Sequence, residues 1–230
     1  MSLASLPMCG RFTLKTPQNV LLQQFLLDAV PDWSPRYNIA PTQPLLCVRH
    51  APSSDEREAV KLHWGLVPSW ADDPKIGNRM INARADGVAE KPSFRAAFKR
   101  RRCLVLADGY YEWKREGKAK QPYYFRRRDE RPFAFAGLWE VWSKGAGPPL
   151  ESVTIITTDA NELTTPIHDR MPVILDAADY DTWLDVEHSD KDQLQALLAP
   201  HDSPEMTVDP VSTHVNNVRN DDPKCVEAVD

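Results

Sequence analysis

Apolar residues first recur at helical spacing after Thr16-Pro17, at Val20, Leu21, Leu22, Phe25 and Leu26. With Thr16 as N-cap and proline at the first helical position, this pattern predicts an amphipathic helix over residues 17 to 29. The four prolines from 31 to 44 then predict a loop. Short β-branched and aromatic runs predict strands at 45–49, 59–64 and 79–84, followed by a short helix at 92–98. Four strands come next in close succession, at 102–107, 110–115, 121–127 and 133–139. Gly117-Lys118 and Asp129-Glu130 read as hairpin turns among them. A further strand is predicted at 152–158, helices at 177–185 and 190–198, and a last strand at 206–211. Strands crowd the middle and helices lie towards the ends. The fold class expected is therefore α+β, with mostly antiparallel strands and peripheral helices, and the strand spacing allows a small barrel-like core.

At 230 residues the chain suits one domain with a sizeable core. We read residues 1–7 as a leader or artificial addition, 8–220 as a single domain and 221–230 as a tail. No apolar run approaches the roughly 20 residues of a membrane span, and the head lacks the basic and apolar regions of a secretory signal. Twenty prolines against nine glycines, spread throughout, point to many ordered loops. The net charge of −5 argues against a general nucleic-acid binder. Basic residues nevertheless cluster at Lys99-Arg100-Arg101-Arg102 and Arg126-Arg127-Arg128, which read either as a local phosphate-binding stripe or as solvated element ends. Cys9, Cys47, Cys103 and Cys225 stand far apart and form no CxxC pair. We therefore expect neither a structural zinc site nor a disulfide framework, no metal and no cofactor, and a reducing cytoplasmic setting.

Four segments carry candidate chemistry. Cys9 follows a methionine, Met8, whose removal would leave a thiol and a free α-amine on adjacent carbons. Such an aminothiol condenses with an aldehyde to a Schiff base and then closes to a thiazolidine, which an internal cysteine cannot do. The plain alternative is a buried, inert cysteine. Asn82-Ala83-Arg84 offers a neutral donor and acceptor beside a planar cationic fork, or simply a solvated strand end. In Asp108-Gly109-Tyr110-Tyr111-Glu112-Trp113, strand alternation points Tyr111 and Trp113 to the face opposite Glu112. Glu112 is then either a desolvated base or a solvent-facing carboxylate. Thr165-Pro166-Ile167-His168-Asp169-Arg170-Met171-Pro172 reads as a rigid polar loop in which His168 can exchange protons near neutrality.

In order along the chain, these segments resemble the SOS-response-associated peptidase (SRAP) family. The resemblance rests on Met8-Cys9-Gly10-Arg11-Phe12, Arg36-Tyr37-Asn38-Ile39-Ala40-Pro41 and Trp64-Gly65-Leu66-Val67-Pro68-Ser69-Trp70. It continues through Ile81-Asn82-Ala83-Arg84, Gly109-Tyr110-Tyr111-Glu112-Trp113, Ile167-His168-Asp169-Arg170-Met171-Pro172, Pro210-Val211-Ser212 and Asn217-Val218. It implies a mixed fold around a small barrel with a DNA groove, and a monomer that senses abasic sites in single-stranded DNA and shields them by covalent capture. By the same resemblance Cys9 is the nucleophile and Asn82, Glu112 and His168 are its companions. Arg11 and Arg84 are implied phosphate or sugar contacts, Pro41 and Trp70 groove walls, and Thr157 a polar residue near the pocket. Self-cleavage exposing Cys9 and weak lyase activity are implied as well, with cytoplasmic location and nucleoid association when bound to DNA. Two departures stand out: residues precede Met8, and Ala71 follows Trp70 where a second tryptophan can occur. The alternatives are an N-terminal-nucleophile hydrolase of the glutamine amidotransferase kind, separated by a glutaminase assay, and a non-covalent single-strand binder, separated by denaturing gels.

Overall fold

The computed structural model describes residues 10–51, 56–117, 119–188 and 190–229, with only the backbone of Glu116 and Ala119. Among these residues the chain runs through β1 (Phe12–Leu14), α1 (Gln18–Phe25), β2 (Arg36–Ile39), β3 (Pro44–His50), β4 (Arg57–Trp64), β5 (Asn82–Arg84) and α2 (Arg95–Arg100). It continues with β6 (Arg102–Ala107), β7 (Gly109–Glu116), β8 (Ala119–Arg127), β9 (Phe133–Trp142), β10 (Leu150–Asp159), β11 (Arg170–Pro172) and β12 (Ile174–Leu175). α3 (Tyr180–Leu184), α4 (Lys191–Ala196) and β13 (Met206–Pro210) follow, then two 3-10 turns at Thr213–Asn216 and Pro223–Val226.

Strands β10, β4, β3, β6 and β9 pair in that order, and β9 pairs again with β10, so the five close into a barrel. All of these pairings are antiparallel except β10 with β4. Closure leaves these five strands no free edge, and with other elements packed outside, the central residues of β3, β6, β9 and β10 are buried on both faces. This is why β6 and β9 read as nearly continuous apolar runs rather than alternating ones. A second antiparallel sheet, ordered β13-β8-β7-β1-β2, packs against the barrel. Phe12 makes that join. It is fully buried, with its ring edge-on to Trp64 at 5.3 Å and Phe135 at 5.6 Å between centroids. Burial of one such side chain contributes roughly 1.5–3 kcal/mol.

Most predicted elements are present, but several details differ. The loop expected over 31–44 contains β2, lodged between Pro35 and Pro41. Thr16 does not cap α1: its hydroxyl and amide both donate to Asp108, and Pro17 takes the cap position without a side-chain bond. The helix is accordingly shorter than the apolar pattern suggested. Asp129-Glu130 is a turn but not a hairpin, because β8 and β9 lie in different sheets. The run at 79–84 divides between a 3-10 turn, Pro74–Arg79, and the three residues of β5.

The basic runs are mostly spent on internal bonds. Arg102 is buried and donates to the carbonyls of Phe98, Lys99, Trp183, Asp185 and His188, and burial pushes its pKa down to about 10. It thereby ties the last turns of α2 and α3 to β6, where unpaired helix carbonyls suit a cation. Arg101 pairs with Glu140, Arg126 with Asp209, and Arg127 with Asp129 and Glu205. Arg128 donates to the Pro204 carbonyl.

Asp108, between β6 and β7, governs the start of the chain. One carboxylate oxygen accepts from Thr13 Oγ1 at 2.5 Å, and the other accepts from Lys15 N at 2.6 Å and from Thr16 N and Oγ1 at 2.8 Å. Next to it, Gly109 lets Tyr124 approach: a Cβ there would fall 2.2 Å from the tyrosine oxygen. That oxygen lies 2.8 Å from Thr13 Oγ1. Replacing Asp108 with alanine leaves two amides and two hydroxyls without their acceptor. The expected cost is roughly 3 kcal/mol, read as a lower urea midpoint. Asp108→Asn should cost nearly as much, because its amide nitrogen would face donors; an unchanged midpoint in both would refute this role.

Candidate functional site

β1 pairs with both β2 and β7. On β7, Phe12 faces Tyr110 and Thr13 faces Gly109, and Tyr111 N donates to Arg11 O at 3.0 Å. Extended by one residue, this register sets Gly10 opposite Glu112. Cys9 itself lies outside the described residues, as does the rest of the segment 1–9. Glu112 is buried at 3% exposure, which decides against a solvent-facing carboxylate. The alternation on β7 is as expected: Tyr110 joins the main core, Tyr111 and Trp113 join a second cluster on the opposite face, and Glu112 falls on the Tyr110 side.

A second group assembles at one end of β10. Asn82 is aligned with Ile155 and Arg84 with Thr157 in the β5–β10 pairing, while Thr157 is aligned with Pro172 on the other side. Thr157 is thus flanked by Arg84 and by the strand that follows His168. Arg170, buried, donates to Thr157 O at 2.6 Å and pairs with Asp159 at 3.0 Å. Arg84 is exposed and forks onto Asp86, which raises the guanidinium pKa and lowers that of the carboxyl. Burial and the neighbouring Arg84 charge lower the pKa of Arg170. Sequence reading quoted Arg170 inside its motif but gave it no role.

His168 sits at the rim of this group, partly exposed. Its Nδ1 accepts the Arg170 backbone N–H at 3.1 Å, which requires a lone pair there and places the proton of the neutral ring on Nε2. Asp169 Oδ1 is also 3.0 Å from Nδ1. The loop is tied to β7 in two steps: His168 N donates to Thr164 O at 2.9 Å, and Thr164 Oγ1 lies 3.4 Å from Tyr110 Oη. The His168 loop is therefore joined to the strand that carries Glu112.

A cavity of about 520 Å³ opens beside Gly10 and Arg11, walled by Pro41, Thr42, Trp113, Lys120 and Val218 among others. Arg11 is part of its frame. Nη1 donates to Asn38 Oδ1 at 2.8 Å and to Val215 O at 2.9 Å, its guanidinium stands 5.9 Å from the Trp113 ring, and burial lowers its pKa. Trp113, whose Nε1 donates to Asn216 at 2.7 Å, is a wall residue that sequence reading left without a role. Thr42 adopts φ +70°, a sparsely populated conformation for a non-glycine residue. Pro41 thus joins Arg11 at this cavity, whereas Asn82, Arg84, Thr157 and His168 gather around β10. Trp70 belongs to neither group; it is 52% exposed after β4, and its carbonyl accepts from Lys144 Nζ at 2.7 Å.

The sequence model of the SOS response associated peptidase family matches residues 8–218. The chain is 45% identical over 225 residues to the abasic site processing protein YoqW of Bacillus subtilis, covering 96% of this chain and all of that protein. It is 37% identical over 227 residues to the abasic site processing protein HMCES of Xenopus tropicalis, covering 86% of this chain and 67% of the relative. A crystal structure of a protein from Bacteroides thetaiotaomicron superposes with a TM-score of 0.84 at 29% identity, covering 96% and 100% of the two chains.

The two arginines beside Thr157 should separate in mutation. Arg170→Ala removes a buried cation from a carbonyl and a carboxylate and should cost roughly 2 kcal/mol, read as a lower urea midpoint. Arg84→Ala, at the surface, should leave the midpoint unchanged. Equal effects on stability would contradict the division.

Proposed function

We propose, taking as premise that the chain belongs to the SOS response associated peptidase family, that it captures abasic sites in single-stranded DNA through the aminothiol of Cys9. The names of its relatives support abasic-site processing as the task. The observation that carries the reading is the β1–β7 register, which directs the residue after Cys9 towards a buried carboxylate, Glu112.

An abasic sugar rests mostly as a closed hemiacetal. Its opening needs a proton on the ring oxygen, and His168 Nε2–H is the donor we assign. The unprotonated α-amine of Cys9 then attacks C1′ and a C–N bond forms. Loss of water yields the imine, with Glu112 taking the amine proton and Asn82 hydrogen-bonding the sugar hydroxyl or developing imine. The thiol adds across the C=N bond: sulfur bonds to C1′, the nitrogen regains a proton, and a five-membered thiazolidine closes. One water is lost overall. Left open, the imine can eliminate and break the strand, so weak lyase activity is a side reaction that ring closure suppresses. Removal of the residues before Cys9 must precede all of this, because an amide nitrogen forms no imine; self-processing is one route to that end.

DNA would be held by arginine and stacking contacts, with Arg84 and Arg11 facing phosphate or sugar and Trp70 and Pro41 facing bases. No described helix is long and apolar enough to cross a membrane. We take the capturing species to be a monomer.

The direct test mixes protein expressed from Met8 with an abasic oligonucleotide and reads intact mass and denaturing gels. A covalent species lighter by one water than the summed masses is expected, and it should be absent for Cys9→Ala. A normal yield from that variant would remove the mechanism. The rate should climb with pH towards the α-amine pKa of about 8. In the same assay Glu112→Gln should slow capture without weakening DNA binding. Trp70→Ala should instead weaken binding roughly tenfold, the loss of one stacked base, with no change in urea midpoint; an unaltered affinity would take Trp70 out of the groove.

A further inference from the structure

Behind the cavity wall, the segment from Ser212 to Val226 folds back on itself and brings three unlike ligand types together. The donor atoms of His214, Asp222 and Cys225 all lie within 4.8 Å of one another. We propose that these three side chains form a binding site for a thiophilic divalent transition-metal ion, of the Zn²⁺ or Co²⁺ class. The site does not depend on the function proposed above.

Four observations carry it. First, Asp222-Pro223-Lys224-Cys225 opens a 3-10 turn whose N-cap is Asp222, with its side chain accepting from Lys224 N. Residues three apart around so tight a turn present their side chains to one side, the geometry that C-x2-C knuckles use for zinc. The other oxygen of Asp222 is directed at His214 Nε2, 3.0 Å away. Second, the imidazole is oriented from behind: Asn220 Nδ2 lies 3.1 Å from His214 Nδ1 and 2.8 Å from His214 O. These contacts hold the ring so that Nε2 faces Asp222 and Cys225. When the metal takes Nε2 the ring proton moves to Nδ1, the contact between Asn220 Nδ2 and Nδ1 is released, and the bond to His214 O remains.

Third, access and charge suit the ion. Cys225 is fully buried, while the side chains of His214 and Asp222 are 30% and 46% exposed, so an ion enters from solvent and meets the sulfur last. A carboxylate, a thiolate and a neutral imidazole balance a divalent charge, and one solvent molecule completes a tetrahedron. The thiol gives up its proton as the metal–sulfur bond forms. The hydrogen bond it loses, to Asn220 O at 3.4 Å, leaves that carbonyl still paired with Asn38 Nδ2 at 2.7 Å. Fourth, the adjacent Asp221 is already engaged. It accepts from Tyr37 N and Asn38 N and pairs with Arg36, so it anchors the segment to β2 while Asp222 remains available. The search for paired cysteines in the sequence passes over such a site, because only one sulfur is used.

Bound there, the ion would fasten the segment whose Val215 carbonyl holds Arg11. The test titrates chelator-treated protein with Co²⁺ alone. One equivalent should give a thiolate-to-cobalt charge-transfer band with the strong visible absorption of a four-coordinate site, and Zn²⁺ should bleach both. Cys225→Ala should abolish the charge-transfer band. His214→Gln and Asp222→Asn should each weaken Co²⁺ binding at least tenfold, and Cys9→Ala should retain the band. Absence of the band overturns the proposal, as does a band that survives Cys225→Ala and is lost in Cys9→Ala. Should Cys225→Ala fail to fold, Zn²⁺ must raise the Tm of the Cys9→Ala protein and not that of Asp222→Asn. An equal rise in both would also refute the site.

Discussion

The position of the amino-terminal segment depends on one carboxylate. β1 is only three residues long, too short to hold its place by ladder bonds alone, yet it lies between β7 and β2 in its sheet. Asp108 supplies what the strand lacks. It fixes Thr13 within the strand and the two backbone amides just beyond it, so the chain leaves β1 in one direction only. Phe12 locks the other side by inserting between Trp64 and Phe135. With register and face both set, the residues preceding Phe12 have a single course along β7. A one-residue slip would send Phe12 away from the barrel and turn Glu112 out of line with Gly10. The chemistry proposed for the first cysteine is therefore hostage to an aspartate some hundred positions away.

The same logic extends to the carboxyl-terminal segment. Asn38, fully buried, donates to three carbonyls of residues 215 to 220 and accepts from Arg11. Asp221 closes onto the same strand from the other side. One short strand, β2, thus carries the hydrogen bonds that join the start of the chain to its end. The cavity beside Gly10 is bounded by pieces of both. That gives a physical reason for the Asn38 and Asn217-Val218 positions, which no local pattern explains.

What was legible in the sequence followed from burial geometry. β3, β6, β9 and β10 were visible because a closed barrel buries both faces and leaves long apolar runs. β1 and β2 escaped because they have three and four residues and are held by side chains from elsewhere: Asp108 for β1, Asp221 for β2. Proline density misled at β2, since Pro35 and Pro41 bracket the strand instead of interrupting it. Thr16 misled for a related reason. Its hydroxyl can cap a helix or bind a remote carboxylate, and only tertiary structure decides. Among the site residues, strand alternation set the face of Glu112 on β7 but left its burial open, which only the packing around that face decides. Arg170 and Trp113 were inside the quoted motifs, but nothing local distinguishes an arginine that buttresses a strand from one that meets a ligand.

The acidic balance of the chain also becomes intelligible. A surface cation helps to bind a polyanion only if it can exchange its present partner for phosphate. Arg102 cannot, because five carbonyls surround it in the interior. Arg126 and Arg127 hold the pairing of β8 with β13 in place through acidic partners on that neighbouring segment. Arg84 differs: its partner Asp86 is two residues away on the same exposed turn, so the exchange disturbs no packing. Exposed pairs of this kind contribute little to stability, and what holds them is readily given to a phosphate. Arg170 behind it is committed to Thr157 and Asp159 and stands 3.7 Å from Asp86, so acidic neighbours share its charge. A negatively charged protein thus needs no basic face for the DNA contact we propose: the replaceable contact of Arg84 localises the attraction at this end of β10.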